Sequence, residues 1–80
     1  MQKWIKCENK MPTVGQKVWY FFEVVGSHRG TFDGWYVDDD GKKWDGMHMF
    51  SNDYGFLTGD VTHWMPDQEG KPNKPYEYEN

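Results

Sequence analysis

The sequence predicts a mainly β fold: a small single-domain antiparallel sheet or partly open barrel of four to five strands, with little helix. Three observations carry this. Lys17 to Val25 (KVWYFFEVV) is dense in β-branched and aromatic residues. Asp40-Gly41 separates two further runs of the same kind, which is a tight-hairpin signal. No window sustains a 3.6-residue apolar repeat flanked by caps, as a helix would require.

The elements follow in order along the chain. Trp4-Ile5 opens a short apolar segment, and Cys7-Glu8-Asn9-Lys10 has room for one helical turn. Met11-Pro12-Thr13-Val14-Gly15 pairs a proline with a glycine and predicts a turn. Lys17 to Val25 is apolar on both faces except at Glu23, the pattern of a central strand. Gly26-Ser27-His28-Arg29-Gly30 reads as a glycine-bounded connection. Thr31 to Asp38 is the next strand, with Phe32 and Tyr36 on one face and Trp35 and Val37 on the other. Asp40-Gly41 predicts a two-residue type I′ turn, and the return strand runs from about Lys42 to Phe50. Ser51 to Gly55 is a loop, and Asp60 to Met65 is the last strand, stopped by Pro66. Residues 1–66 form the domain. Residues 67–80 (DQEGKPNKPYEYEN) form a polar tail expected to be extended or disordered in isolation.

The chain has 80 residues, so a second domain would have no interior of its own. Only 36 % of residues are hydrophobic, yet five Trp, five Tyr and five Phe are present. Each ring buries on the order of 150–250 Å², which lets a short chain build a core from few residues. Four consecutive rings, Trp19 to Phe22, put two on each face of their strand. One face of a single sheet is then bare unless the strands close into a barrel or two copies pack together, so a homo-oligomer is expected.

Nine Lys and Arg against thirteen Asp and Glu give a net charge of −4. No basic face is visible to hold a phosphate backbone, which argues against nucleic-acid binding. The single cysteine, Cys7, allows no internal disulfide and no multi-cysteine zinc site. The longest mostly apolar run, Val18 to Val25, is far short of a membrane span of roughly 20 residues. No leader is recognised, and a cytosolic location, with no membrane partner, is expected.

Several residues together bear a family resemblance. Trp4-Ile5, Met11-Pro12 with Gly15 and Val18, Gly34-Trp35, and the closing Val61-Thr62-His63-Trp64-Met65-Pro66 resemble, over residues 4–66, the phage and prophage domain-of-unknown-function family 551. The sequence departs from the family's usual proline-rich continuation after Pro66. The resemblance implies a phage or prophage origin, a host-cytoplasmic setting and a compact β-rich fold. It implies no activity.

Several polar residues that could serve a site have plainer roles. His63 reads as a strand-fixing residue, and His48 as an exposed strand position. Asp38, Asp39 and Asp40 alternate sides of a strand and cannot converge on one cation, so no metal is expected. Cys7 lies between Lys6 and Glu8, which gives no net thiolate activation. No motif supports an enzyme, and no cofactor is implied. The candidate ligand-binding residues are Ser27, His28 and Arg29, as an anion-binding loop, and Trp19, Trp35, Tyr36, Lys42, Lys43 and Trp44, as stacking rings with nearby cations. The expected function is non-enzymatic sequestration of a small anionic, nucleotide-derived host immune signal, in a pocket formed between subunits because one 80-residue chain is small for the task. The alternative is a protein-binding inhibitor of a host enzyme, acting through its aromatic and acidic surface.

Overall fold

Strand-forming residues punctuated by glycine turns build the expected antiparallel sheet. The computed structural model describes residues 3–24 and 26–75. It contains strands β1 (Ile5–Lys6), β2 (Lys17–Phe22), β3 (Gly26–Val37), β4 (Lys43–Asn52), β5 (Gly55–Thr58) and β6 (His63–Pro66). All pairs are antiparallel in one open sheet of order β1-β6-β2-β3-β4-β5. The helical turn expected near Cys7 is present, because the amides of Asn9 and Lys10 both donate to the Lys6 carbonyl at 3.0 and 3.2 Å.

Several expectations about local structure are corrected. Residues 26–30 are the start of β3 and pair with β2, Phe22 opposite Gly26 and Trp19 opposite Arg29. The hairpin turn therefore falls earlier, at Glu23 and Val24, and Val25 lies outside the described residues. Gly30 is not a loop hinge. A side chain there would collide with the Ser51 carbonyl oxygen and the Tyr20 ring, so only glycine allows the strands to close up. The turn at Asp38 to Lys42 is not type I′, since of its residues only Gly41, at φ 81°, has positive φ. Gly41 N–H donates to the Asp38 carbonyl at 3.0 Å, and Asp38 N–H to the Lys42 carbonyl at 3.0 Å. This is a three-residue loop closed by a left-handed glycine.

Facing also differs from simple alternation. The β3–β4 register shifts between Phe32 and Gly34, a bulge that skips Asp33. Phe32 and Trp35 therefore share a face and meet edge to face at 5.1 Å, where alternation had put them on opposite sides. The region read as a loop at Ser51 to Gly55 is the tight turn between β4 and β5, with Asn52 paired to Gly55. Asp60 to Thr62 precede β6, whose first residue is His63.

The core occupies one face of the sheet. Val18, Tyr20, Phe32, Phe50, Val61 and Trp64 are buried there, with Ile5, Cys7, Met11, Trp35 and Leu57 packed against them. Residues 59–62 cross this face, tied by Gly59 N–H to the His48 carbonyl at 2.8 Å and by Thr62 N–H to the Phe21 carbonyl at 3.0 Å. In a flat sheet the four strand spacings from β5 to β6 would measure about 19 Å. Five residues of chain span at most about 16–18 Å, so the sheet has to curl around Val61.

The opposite face carries Trp19, Phe21 and Met65, all buried. The segment after β6 covers it. The Trp19 indole N–H donates to the Gln68 carbonyl at 3.1 Å, and the Trp4 indole to the Asn73 carbonyl at 2.6 Å. Trp4 also meets Phe21 edge to face at 6.1 Å. Pro72 and Pro75 are themselves buried. The tail thus acts as a cover over its described part. Residues 76–80, with Tyr76 and Tyr78, lie outside the described residues.

Candidate binding cleft and hairpin tip

The curled sheet leaves a mouth between its two ends. The end of β1 and the segment after it supply one wall with Lys6, Cys7, Glu8 and Met11, and the bulged part of β4 supplies the other with Asp45, Gly46 and His48. Val61 and Thr62 lie along the cleft, and Trp35 lines it from β3. The cleft is open to solvent and has a volume of about 650 Å³. That lies within the range of roughly 300–1,000 Å³ usual for small-molecule sites, so one subunit offers a space that had been expected only between subunits.

Trp35 is the ring best placed to meet a ligand. Its edge packs on Phe32, and the Lys43 ammonium sits 4.1 Å from its ring centroid. A cation over an indole is held by the ring quadrupole. Beyond Trp35 the β3–β4 hairpin projects with Tyr36 and Trp44 in edge contact at 6.0 Å, both about half exposed. Asp38 organises this tip: Oδ1 accepts the amides of Asp40 and Lys42, each at 2.9 Å, and Oδ2 accepts the Trp44 indole N–H at 3.0 Å. Those donors, the indole foremost, hold its carboxyl below the usual carboxylate range.

The predicted residues therefore divide. Trp35, Tyr36, Lys42, Lys43 and Trp44 come together at the hairpin tip and cleft rim. Ser27, His28 and Arg29 lie near the other end of β3, and the seven residues from Arg29 to Tyr36 measure roughly 20 Å along a strand. One small ligand cannot touch both groups. Arg29 also has its own partner: Nε donates to Asp67 Oδ1 at 2.5 Å and Nη2 to Oδ2 at 3.0 Å, with Glu69 at 3.9 Å. This bidentate bond holds the Asp67 carboxyl below its ordinary range. Arg29 and Trp19 are 6.0 Å apart on the tail-covered face, so they lock the cover in place. Ser27 is half-buried opposite Phe21. His28 stacks on Tyr20 at 5.9 Å and borders a smaller groove of about 260 Å³ with Asn52, Tyr54, Gly55, Phe56 and Leu57.

The groups in the cleft that could do chemistry are tied into the structure. Burial pushes the Cys7 thiol up to about 12, which keeps it protonated at neutral pH. His48 Nε2 lies 2.9 Å from the Val61 carbonyl oxygen, and His63 Nδ1 lies 2.8 Å from the Thr62 hydroxyl. Among the described residues no three His, Cys, Asp or Glu side chains gather as a metal site would need. No helix of the described residues is long and apolar enough to cross a membrane.

A family model described as "Protein of unknown function (DUF551)" matches residues 3–69, most of the chain. The chain belongs to the DUF551 family. No curated protein and no solved structure matches it significantly. The DUF551 match runs through all six strands and ends at Glu69, so it takes in Asp67 and Gln68, which fasten the cover. In this DUF551 chain the sequence reading missed the cleft walls Met11, Asp45, Gly46 and His48, because they meet only once the sheet curls. A glycine inside a strand-forming run, Gly46, was the one local hint of the bulge that opens the cleft.

Proposed function

We propose that this chain is a non-enzymatic binding protein of phage or prophage origin that captures a small anionic, nucleotide-derived ligand in the cleft. In a host cell it would sequester an immune signal and so act in counter-defence. The observation that supports this reading most is the cleft of about 650 Å³ with Trp35 at its side and the Lys43 ammonium 4.1 Å from that ring. A ring and an adjacent cation are the pair a base-and-phosphate ligand needs: the base stacks while the cation meets the phosphate. Lys6 adds a second positive charge on the far wall. Glu8 and Asp45 on the same walls favour a ligand that also presents hydrogen-bond donors, as nucleobases and ribose hydroxyls do. The non-enzymatic part is supported by the protonated Cys7 and by the engaged rings of His48 and His63.

The test is a thermal-shift and calorimetric panel of cyclic di- and trinucleotides and a cyclic ADP-ribose type compound. At least one should raise the melting temperature of the wild type, and Trp35→Ala with Lys43→Ala should abolish that rise. A flat response across the panel removes the reading.

A second reading, inhibition of a host enzyme by protein–protein contact, is favoured by the exposure of Tyr36, Val37 and Trp44 beside Asp39 and Asp40 at the hairpin tip. Exposed rings next to charge form the kind of patch that anchors a partner. Under this reading, capture of a host protein would be lost in Tyr36→Ala with Trp44→Ala, and weakened by charge reversal at Asp39 and Asp40. The nucleotide panel would then be silent.

A further inference from the structure

The two edges of the sheet are unlike. β1 is two residues long and carries Lys6, the short charged form that protects an edge. β5 (Gly55–Thr58) carries no charge and no proline, and among the described residues its only strand neighbour is β4. Phe56 is 68 % exposed on it, and Tyr54, just before it, is 97 % exposed. An unprotected apolar edge of this kind is a template for another strand.

We infer that β5 is a homodimer edge, pairing antiparallel with β5 of a second copy about a two-fold axis through Phe56. The register follows from symmetry. Two antiparallel edge strands related by a two-fold share an axis normal to the sheet, so each residue faces one on the same side of the sheet. Centring on Phe56 sets Phe56 opposite the partner's Phe56, Gly55 opposite the partner's Leu57, and Tyr54 opposite the partner's Thr58. This gives a cross-strand aromatic pair on the outer face. At Gly55 a Cβ would meet nothing within 4 Å, so the partner's Leu57 finds open space there, at the lip of the groove of about 260 Å³.

Charge favours a second copy in this register. Each chain carries −4, so two copies approach only where acids do not oppose one another. Tyr54 to Gly59 is uncharged. The nearest acids lie outside the paired residues, Asp53 in the turn before β5 and Asp60 in the segment that leaves the edge to cross the inner face. The alternative centred on Leu57 separates the two Phe56 rings, setting each against the partner's Thr58. This inference stands apart from the ligand reading, because the cleft is bounded by residues of β1, β3, β4 and the crossing segment rather than by β5.

The experiment is native mass spectrometry with sedimentation of the full chain. So short an edge makes a weak dimer, so the series should reach about 1 mM. We expect a species of twice 9.6 kDa to grow with concentration. Phe56→Lys, an exposed position, should weaken it about tenfold or more while circular dichroism and melting temperature stay as in the wild type. In a Cys7→Ser background, Phe56→Cys should oxidise to a covalent dimer. Tyr54→Cys should not, because its two copies stand about four residues, or ~14 Å, apart along the strands. Tyr54→Cys combined with Thr58→Cys should cross-link again. A wild type that stays monomeric throughout, a dimer indifferent to Phe56→Lys, or cross-linking by Tyr54→Cys alone would each overturn the inference.

Discussion

The two faces of the sheet are both buried, but by different means. The inner face is filled by side chains of its own strands and of the crossing segment, with Phe32, Phe50 and Val18 fully excluded from water. The outer face is roofed by a polar segment, residues 67–75, that has little apolar surface to contribute. It succeeds because its backbone carbonyls accept the indole N–H groups of Trp4 and Trp19 and its proline rings fill space. The inner face thus rests on packing, whereas the outer face rests on packing held in register by hydrogen bonds and one ion pair. A tryptophan-rich face can be covered by polar chain when that chain supplies acceptors.

This contrast can be broken in a graded way. The largest effect belongs to the inner face: Phe32→Ala or Phe50→Ala should cost about 3–5 kcal/mol in urea denaturation, much of the total stability of so small a domain. Gly30→Ala attacks the same face through the backbone, driving a methyl group into the Ser51 carbonyl and the Tyr20 ring. Overpacking of this kind costs about 1–3 kcal/mol. Truncation after Pro66 exposes the outer face and should cost about 2–3 kcal/mol, the worth of one to two large side chains returned to water. Tryptophan emission should shift to the red as Trp19 is uncovered.

The Arg29–Asp67 pair gives a smaller, pH-dependent effect. The folded pKa of Asp67 is depressed, chiefly by its hydrogen bonds from Arg29. Its contribution is therefore present above the unfolded carboxylate value of about 3.9, and is lost as pH falls through the lower folded value. The stability gap between wild type and Asp67→Asn should be open near pH 6 and close in acid. The smallest effect is expected at the unroofed hairpin tip, where Trp44→Ala should change stability by no more than about 0.5 kcal/mol. A larger loss there would mean that the tip is part of the folding core. At Cys7 the half-buried, protonated thiol should react slowly with iodoacetamide at pH 8 and faster in denaturant, which reports on the cleft wall directly.

Much of the fold was legible along the chain. Lys17 to Phe22 is a central strand because its rings and β-branched residues allow little else, and the turn near Gly41 stands where Asp40-Gly41 marked it. The failures share a cause. Gly26 to Gly30 looked like a loop because glycine and serine are poor strand formers, yet pairing with Phe22, Phe21, Tyr20, Trp19 and Val18 outweighs that propensity. The face of Trp35 was misread because the bulge at Asp33 is a register event between two strands, invisible to alternation along one. Of the candidate site, Trp35, Tyr36, Lys42, Lys43 and Trp44 were legible as a group because they are near in sequence on one hairpin.

Local chemistry by itself determined that this chain is an antiparallel β domain with more aromatic surface than its core residues would need, because strand propensity and ring content are properties of short stretches. Only the tertiary structure decided where that surplus goes. Trp19 and Phe21 lie beneath the tail, Trp35 lines a cleft in the mouth of a curled sheet, and Tyr36, Trp44 and Phe56 face solvent. The physical reason is that cover, cleft and free edge arise between segments tens of residues apart: Arg29 meets Asp67, Trp4 meets Asn73, and Cys7 faces His48 across the cleft only after the link from β5 to β6 proves too short for a flat sheet.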